Sequence, residues 1–341
     1  MKVLFLSRFY YPHVGGVEKH LENLSYQLIV RGHSVSVISG KFTTNLKDIE
    51  TFRGSKIYRF PYPKLKFLGL VWIWISLFKY RNLILKSDIV HCHDVFIWYL
   101  PFRFLFYKKP VYTTFHGYES YPIRISAKII RRLSEKLSFG SICIGDFMKK
   151  WYGHNPNFVS YGAVDIKKFK PAKKNKYKYD AVFSSRLDEQ TGITAYIDAV
   201  KIIRKRKRRF EFLILGDGKF KSLASLVGTS IGFVDNTENY LRESRFAFYS
   251  RYLAILEAFA AKKFVFAVYD NPIKSDYLKM TPFSKWIVIE KDPKKLAQQV
   301  KYYSKNLYKA KSRIENAYRW VKRQTWENLT DMYLDLWMIG K

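Results

Sequence analysis

Cysteine, acidic residues and long apolar runs are all scarce in this chain of 341 residues, and each scarcity closes off a class of explanation. Two cysteines, Cys92 and Cys143, are too few for a disulfide framework or a zinc cluster, and they point to a reducing, cytosolic compartment. The longest uncharged apolar stretch, Phe67 to Phe78 (FLGLVWIWISLF), runs for 12 residues, short of the ~18 that a bilayer-crossing helix needs. The opening MKVLFLSRFYYP holds an apolar run that stops at Ser7, too short for a secretory leader, and reads as a first strand. No segment is expected to cross a membrane.

Asp and Glu number 28 against 61 Lys and Arg, a formal net charge of +33 that exceeds what solubility requires. Up to residue 165 there are 24 basic and 10 acidic residues, and beyond it 37 and 18, so the excess is +14 and +19 and is no appended arm. Hydrophobic residues at 48% and aromatics at 18% exclude a disordered basic tail and suffice for a large core. The length suggests two domains.

The organisation of the chain supports that division. KVLFLS at 2–7, a Pro- and Gly-containing loop, a helix over 17–31 with Leu21, Leu24 and Leu28 on one face, and a strand VSVIS at 35–39 open a doubly wound parallel α/β sheet. Further strands are predicted at 56–60, 88–92, 110–115 and 141–144. Residues 160–178, with YGAVD and KKFKPAKKNKYK, read as a linker. The grammar then restarts, with strands at 179–184, 210–215, 246–249 and 264–268, helices near 192–205 and 252–261, and a helical last third from about 293. Two such sheets imply a cleft between domains, with ligands at the carboxyl ends of strands.

Five features at those ends carry candidate chemistry. Gly15 and Gly16 lie between a strand and a helix, a setting that offers backbone amides to phosphate or simply makes a tight turn; the pattern is no GxGxxG fingerprint. His116, in TTFHG, sits where a donor to a substrate hydroxyl or carbonyl would sit. The neighbouring HCHD invites a metal reading, which is discounted because His91 and His93 would share a strand face that Cys92 does not. Arg186, in SSRLDEQTG, follows the first strand of the second domain and suits a diphosphate, or is a surface arginine. GDGK at 216–219 is a loop at another strand end, and Glu257 in LAILEAFA is a carboxylate in an apolar helix, costly unless it meets a partner or ligand.

In this order and spacing the segments GGVE, DIVHCHD (88–94), TTFHG, VSYGAVDIKKFKP (159–171), SSRL with Gly192, LILGDG (213–218), LEAFA (256–260) and TWENLTDMY resemble the retaining glycosyltransferases of family 4, over nearly the whole chain. The resemblance implies the GT-B fold: a Rossmann-like acceptor domain over 1–165, a Rossmann-like donor domain over 166–322, and a final helix, 323–341, crossing back onto the first domain. It implies a nucleotide-diphospho-sugar donor, no metal ion and no further cofactor, and an EC 2.4-class hexosyltransferase acting with retention. Carried over, Gly15 and Gly16 would approach the donor phosphates, His116 the transferred sugar, Arg186 the diphosphate and Glu257 the ribose, with Gly216 also on the donor side; Glu18, His93, Asp94 and Glu119 fall on the acceptor side.

Two positions depart from the family pattern. The first glutamate of its paired-glutamate motif is replaced by Tyr249 (or, with a short loop deletion, by Ser250 or Arg251), and its diphosphate lysine is replaced by Thr191. Lys219, Arg251, Lys262 and Lys263 are the candidate substitutes, and a catalytically silent subunit that binds a nucleotide, glycan or partner enzyme is the alternative reading. Finally, residues 67–78, with Trp72 and Trp74 inside and Lys64, Lys66, Lys79 and Arg81 at the edges, and residues 96–109 have interfacial composition or are core helices. The interfacial reading implies a cytoplasmic enzyme held peripherally on an anionic membrane face, acting on a glycan or lipid-linked acceptor. The basic run 201–210 is a solvated, dipole-matched helix end or a second membrane contact. Nucleic acid is disfavoured because no recognition motif accompanies the charge.

Overall fold

The computed structural model describes residues 1–63, 68–172, 177–206 and 209–339. The chain divides into two compact units, Met1–Ser160 with Trp326–Lys341, and Tyr161–Thr325. These divisions fall at 160/161 and 325/326, where the sequence reading places them at 165/166 and 322/323. Physically, the start of the expected linker packs as part of the second unit. Tyr161 makes edge contacts with Tyr252 and Phe283, and the Val164 amide donates to the Gln324 carbonyl at 2.8 Å. Residues 173–176 of that linker, Lys64 and Lys66, Phe67, and positions 207 and 208 of the basic run lie outside the described residues.

The first unit contains β1 (Lys2–Ser7), α1 (Gly16–Val30), β2 (Ser34–Lys41), β3 (Ile49–Phe52), β4 (Ser55–Pro61), α2 (Leu68–Phe78), α3 (Arg81–Lys86), β5 (Ile89–His93), α4 (Phe96–Leu105), β6 (Val111–His116), α5 (Ile125–Leu137), β7 (Gly140–Ile144), α6 (Phe147–Tyr152) and β8 (Phe158–Ser160). Its strands order as β3-β4-β2-β1-β5-β6-β7-β8, parallel except for β3. β1, β5 and β6 are buried nearly throughout, the near-continuous apolar pattern of strands covered on both faces. β3 escapes the sequence reading because it is a short hairpin partner of β4, joined through Arg53 and Gly54 at φ 47 and 83, the left-handed pair of a tight hairpin turn.

The second unit contains β9 (Tyr179–Ser184), α7 (Ile193–Arg206), β10 (Phe212–Leu215), α8 (Lys221–Ser225), β11 (Thr229–Gly232), α9 (Thr237–Glu243), β12 (Ser244–Phe248), α10 (Tyr252–Ala260), β13 (Phe264–Val268), α11 (Pro272–Lys279), β14 (Val288–Glu290), α12 (Pro293–Lys305) and α13 (Lys311–Val321). The sheet order β11-β10-β9-β12-β13-β14 is parallel throughout. The last helix, α14 (Trp326–Met338), packs on α1 within the first unit. There Arg31 pairs with Asp331 and donates to the Glu327 carbonyl at 3.0 Å.

Both units are doubly wound α/β sheets, as the sequence grammar predicts. Strand order reverses between β1 and β5 in one sheet and between β9 and β12 in the other, and such reversals open a crevice at the carboxyl ends of the strands. Those ends are Ser7 and His93 in the first unit, Ser184 and Phe248 in the second.

Candidate active site

At the β1/β5 reversal the first unit gathers four histidines around α14. His91 and His93 lie on one face of β5 with ring centroids 5.1 Å apart, while Cys92 points into the opposite apolar core. His116 ends β6 and His20 comes from α1, their rings edge to face at 4.9 Å. A single hydrogen-bonded chain ties these elements together. The Trp337 indole donates to His91 Nδ1 at 3.0 Å, and an indole can only donate. The His91 proton therefore sits on Nε2 and goes to Thr114 Oγ1 at 2.8 Å. The Thr114 hydroxyl in turn meets the Tyr333 hydroxyl at 2.8 Å, and the Tyr333 hydroxyl meets His20 Nε2 at 2.9 Å. Burial favours the neutral rings: His20 is pushed down to about 3, and His91, His93 and His116 well below the ordinary histidine value.

His93 Nδ1 meets His116 Nε2 at 2.9 Å, and the buried His93 Nε2 has no partner among the described residues. Asp94, next in sequence, adopts a left-handed backbone (φ 61), which turns its carboxylate back to accept the His116 amide at 2.8 Å. Crowding by surrounding protein raises the Asp94 carboxyl to about 7 against the pull of Arg131, although 27% of the side chain stays exposed. Arg131, from α5, also bonds Glu119 at 2.8 Å and the Gly117 carbonyl at 3.1 Å, and lies over the Tyr152 ring; the Tyr152 hydroxyl donates to the other Glu119 oxygen at 2.6 Å. Glu119 thus holds Arg131 in place. Glu18 accepts from His13 at 2.8 Å and its carboxylate folds over Gly15, whereas Gly16 faces open space. Among the described residues no cluster of three or more His, Cys, Asp or Glu has the arrangement to hold a metal ion.

The second unit builds its polar set on β9, β10, β12 and β13. Arg186 follows β9, half exposed and 3.2 Å from Asp188. Thr191, at the position of the family's lysine, is buried and spends its hydroxyl on the Asp188 carbonyl at 2.8 Å, closing the turn that Gly192 ends at φ 79. Gly216, at φ 136, brings the β10 loop so close to the Ser185 carbonyl that any Cβ would overlap it. Tyr249 occupies the missing glutamate's place: its phenol bonds Ser184, and burial together with the charge of Glu257 pushes its pKa well up. Glu257 is itself buried in α10.

The candidate replacement cations separate by direction. Lys262 pairs with Glu315 of α13 at 2.7 Å, Lys263 donates to the Arg242 carbonyl at 2.9 Å, and Lys219 pairs with Glu189. Of the four, Arg251 and Lys219 stay with the Arg186 loop, Arg251 bonding Gln190 at 2.7 Å and Lys219 pairing with its neighbour Glu189. A cation absent from the sequence reading joins them. Lys274 on α11 is 2% exposed, donates to the Ser250 carbonyl and lies 4.2 Å from the Tyr277 ring centroid. Burial, reinforced by Arg251 and opposed by Asp270 and Asp188, lowers its pKa well below the usual lysine value. The period of α11, which turns Ile273, Tyr277 and Leu278 inward along with Lys274, is the one sequence signal that marks it.

The two halves match two family models, Glycosyltransferase Family 4 over residues 14–158 and Glycosyl transferases group 1 over residues 164–320. An uncharacterized glycosyltransferase of Methanocaldococcus jannaschii is 27% identical over 240 residues, 67% of this chain and 63% of its own length. Sucrose-phosphate synthase from Thermosynechococcus elongatus superposes with TM-score 0.77 at 14% identity, over 99% of this chain and 98% of that one. Anabaena HepE in complex with UDP does so with TM-score 0.71 at 15% identity, over 98% and 99%. The chain belongs to the glycosyltransferases of the GT-B fold, its first half matching family 4 and its second half group 1.

Proposed function

We propose that the protein transfers a hexosyl group, with retention of anomeric configuration, from a nucleotide-diphospho-sugar to a hydroxyl of a glycan or lipid-linked acceptor, at the cytoplasmic face of a membrane and without a metal ion. The observation that carries this reading is the cation set of the second unit at the carboxyl ends of β9, β12 and β13: Arg186 pairs with Asp188, Arg251 bonds Gln190 of the same loop, and Lys274, bonded to the Ser250 carbonyl next to Arg251, feels the charges of Arg251 and Asp188. Such a set suits a diphosphate whose charge grows as the sugar departs. UDP in the Anabaena structure of the same fold is consistent with it.

In the proposed reaction the bond from C1 of the sugar to the diphosphate oxygen breaks, and its electron pair leaves on that oxygen. The acceptor oxygen forms its bond to C1 on the same face, and its proton passes to the departing phosphate, so no protein carboxylate is required as base. Arg186 stabilises the phosphate charge, Glu257 holds the ribose, and His116, held by His93 and by Asp94, contacts the transferred sugar. On the acceptor side stand Glu18 and Asp94.

A panel of nucleotide-sugars incubated with the full chain and followed by mass spectrometry tests this. Turnover of one donor should vanish with Arg186→Ala, and His116→Ala should collapse turnover while leaving nucleoside-diphosphate binding intact. Unchanged turnover in His116→Ala refutes that residue's role, and failure to bind any nucleoside diphosphate refutes the donor reading. Tyr249 and Thr191 in place of the family's glutamate and lysine favour one second reading, a silent subunit, which binding without turnover of any donor would select.

A further inference from the structure

Helix α5 is turned inside out. Its inward side carries Arg131 and Ser134, 7% and 4% exposed, while Ile125, Ile129, Ile130 and Leu133 stand 77%, 60%, 41% and 41% exposed. The helical period aligns Ile125, Ile129 and Leu133 in one row, and Arg124, Lys128, Arg132 and Lys136 in the adjoining row. A groove of about 560 Å³ opens against this face, lined by Ile129 and Leu133 together with Arg132, Glu135, Lys136, Gly153 and Asn155.

The face extends beyond one helix. α2 packs on α4 and α4 on α5, so the three form one layer. The sequence offers residues 67–78 and 96–109 as an interface or as core helices, and in the structure each helix buries one side and leaves apolar side chains exposed on another. Ile73 and Leu77, with Trp98 and Phe102, enter the core, while Val71, Trp72, Ile75 and Phe78 on α2 and Phe104 and Leu105 on α4 are exposed. Over α2 to α5 the helices hold seven Lys and Arg and one carboxylate, Glu135, which His154 and Ser141 already engage.

We propose that this layer, centred on α5, is the surface by which the protein lies on an anionic lipid leaflet, the aliphatic row entering the boundary between headgroups and acyl chains and the basic row meeting lipid phosphates. The proposal rests on the reading above of a transferase working at a membrane. Charge complementarity selects lipid over a second copy of the chain, because pairing two such faces would bring two cationic layers together.

Flotation of the full chain with phosphatidylcholine vesicles, with and without phosphatidylglycerol, tests it. The wild type should float only with phosphatidylglycerol. The double variants Ile129→Asp with Leu133→Asp and Lys128→Glu with Lys136→Glu should each lose about tenfold or more in partitioning. Unchanged melting by circular dichroism shows that they fold. The proposal is overturned if the wild type does not float, if it floats equally on neutral vesicles, or if either variant floats like the wild type. A lipid-free dimer dissolved by Ile129→Asp gives the face to a second copy and overturns it too. Flotation needs no turnover, so a floating but inactive protein counts against the transferase reading alone, and a soluble, active one against the docking face and the membrane placement but not against glycosyl transfer.

Discussion

Lowering the pH from about 7 to 5 lets the unfolded chain protonate histidines that the folded first unit holds neutral. In an unfolded chain each takes a proton near pH 6.5. In the fold, burial depresses His20 to about 3 and His91, His93 and His116 well below their ordinary value. Below pH 6.5 the unfolded state therefore binds more protons, so this contribution to stability is fully present above about 6.5 and is lost as the pH falls toward the folded values. Each group contributes a slope near 1.4 kcal/mol per pH unit once its unfolded form is protonated, or about 5 kcal/mol per unit for four.

Asp94 works the other way. Its folded pKa is raised to about 7, so the folded state holds a proton that the unfolded state releases, and roughly one proton is offset. The net slope is about 4 kcal/mol per pH unit, with His116, the partly exposed member, contributing least. Against a typical domain stability of ~5–15 kcal/mol, the first unit should unfold between about pH 5 and 3. Urea titrations across that range, read by tryptophan fluorescence, give the slope. The ring resonances of the seven histidines in NMR show whether these four stay neutral until unfolding. A slope below about 1.4 kcal/mol per unit between pH 6.5 and 5.5, less than one net proton, refutes the reading of these rings as neutral in the fold.

Tyr333→Phe deletes the hydroxyl that joins Thr114 to His20 and leaves both polar atoms buried. It should cost about 2–3 kcal/mol and lower the melting temperature of the first unit by roughly 5–10 °C in calorimetry, and a neutral effect would mean that the chain of hydrogen bonds is not formed. Lys274→Met replaces a buried cation, which donates to a carbonyl, by an apolar side chain of similar length. Stability measured in urea should change by less than about 1 kcal/mol or rise, while UDP affinity in titration calorimetry falls; unaltered affinity removes Lys274 from the cation set.

The strands were legible where burial on both faces demands uninterrupted apolar residues. KVLFLS, YDAVFS and FVFAV lie over β1, β9 and β13 without displacement. β3, β8, β11 and β14, of three or four residues, carry too little pattern to stand out and exist because a longer neighbour offers them hydrogen bonds. The alternation of strands and helices predicted doubly wound parallel sheets and so which loops lie at the carboxyl ends of strands, including those of His116, Arg186 and Gly216, while the order of the strands and its reversal came from the structure.

What surrounds those residues was not legible. Tyr333 bonds His20 across 313 positions, Trp337 bonds His91 across 246, and Lys274 reaches Ser250 across 24. In the sequence Trp337 counts only as an apolar residue of a final helix and Tyr333 is not singled out at all, and nothing marks their polar tips as partners for buried histidines. The inversion of α5 was hidden for a related reason: periodicity shows that a helix has two unlike faces, and ordinarily the apolar one turns inward. Here Arg131 has carboxylates to meet at Asp94 and Glu119. Sequence periodicity thus determined the elements and their order, because backbone pattern and burial are local. The tertiary structure alone decided which polar groups are partnered and which face meets the surroundings, because those depend on distances between segments far apart in the chain.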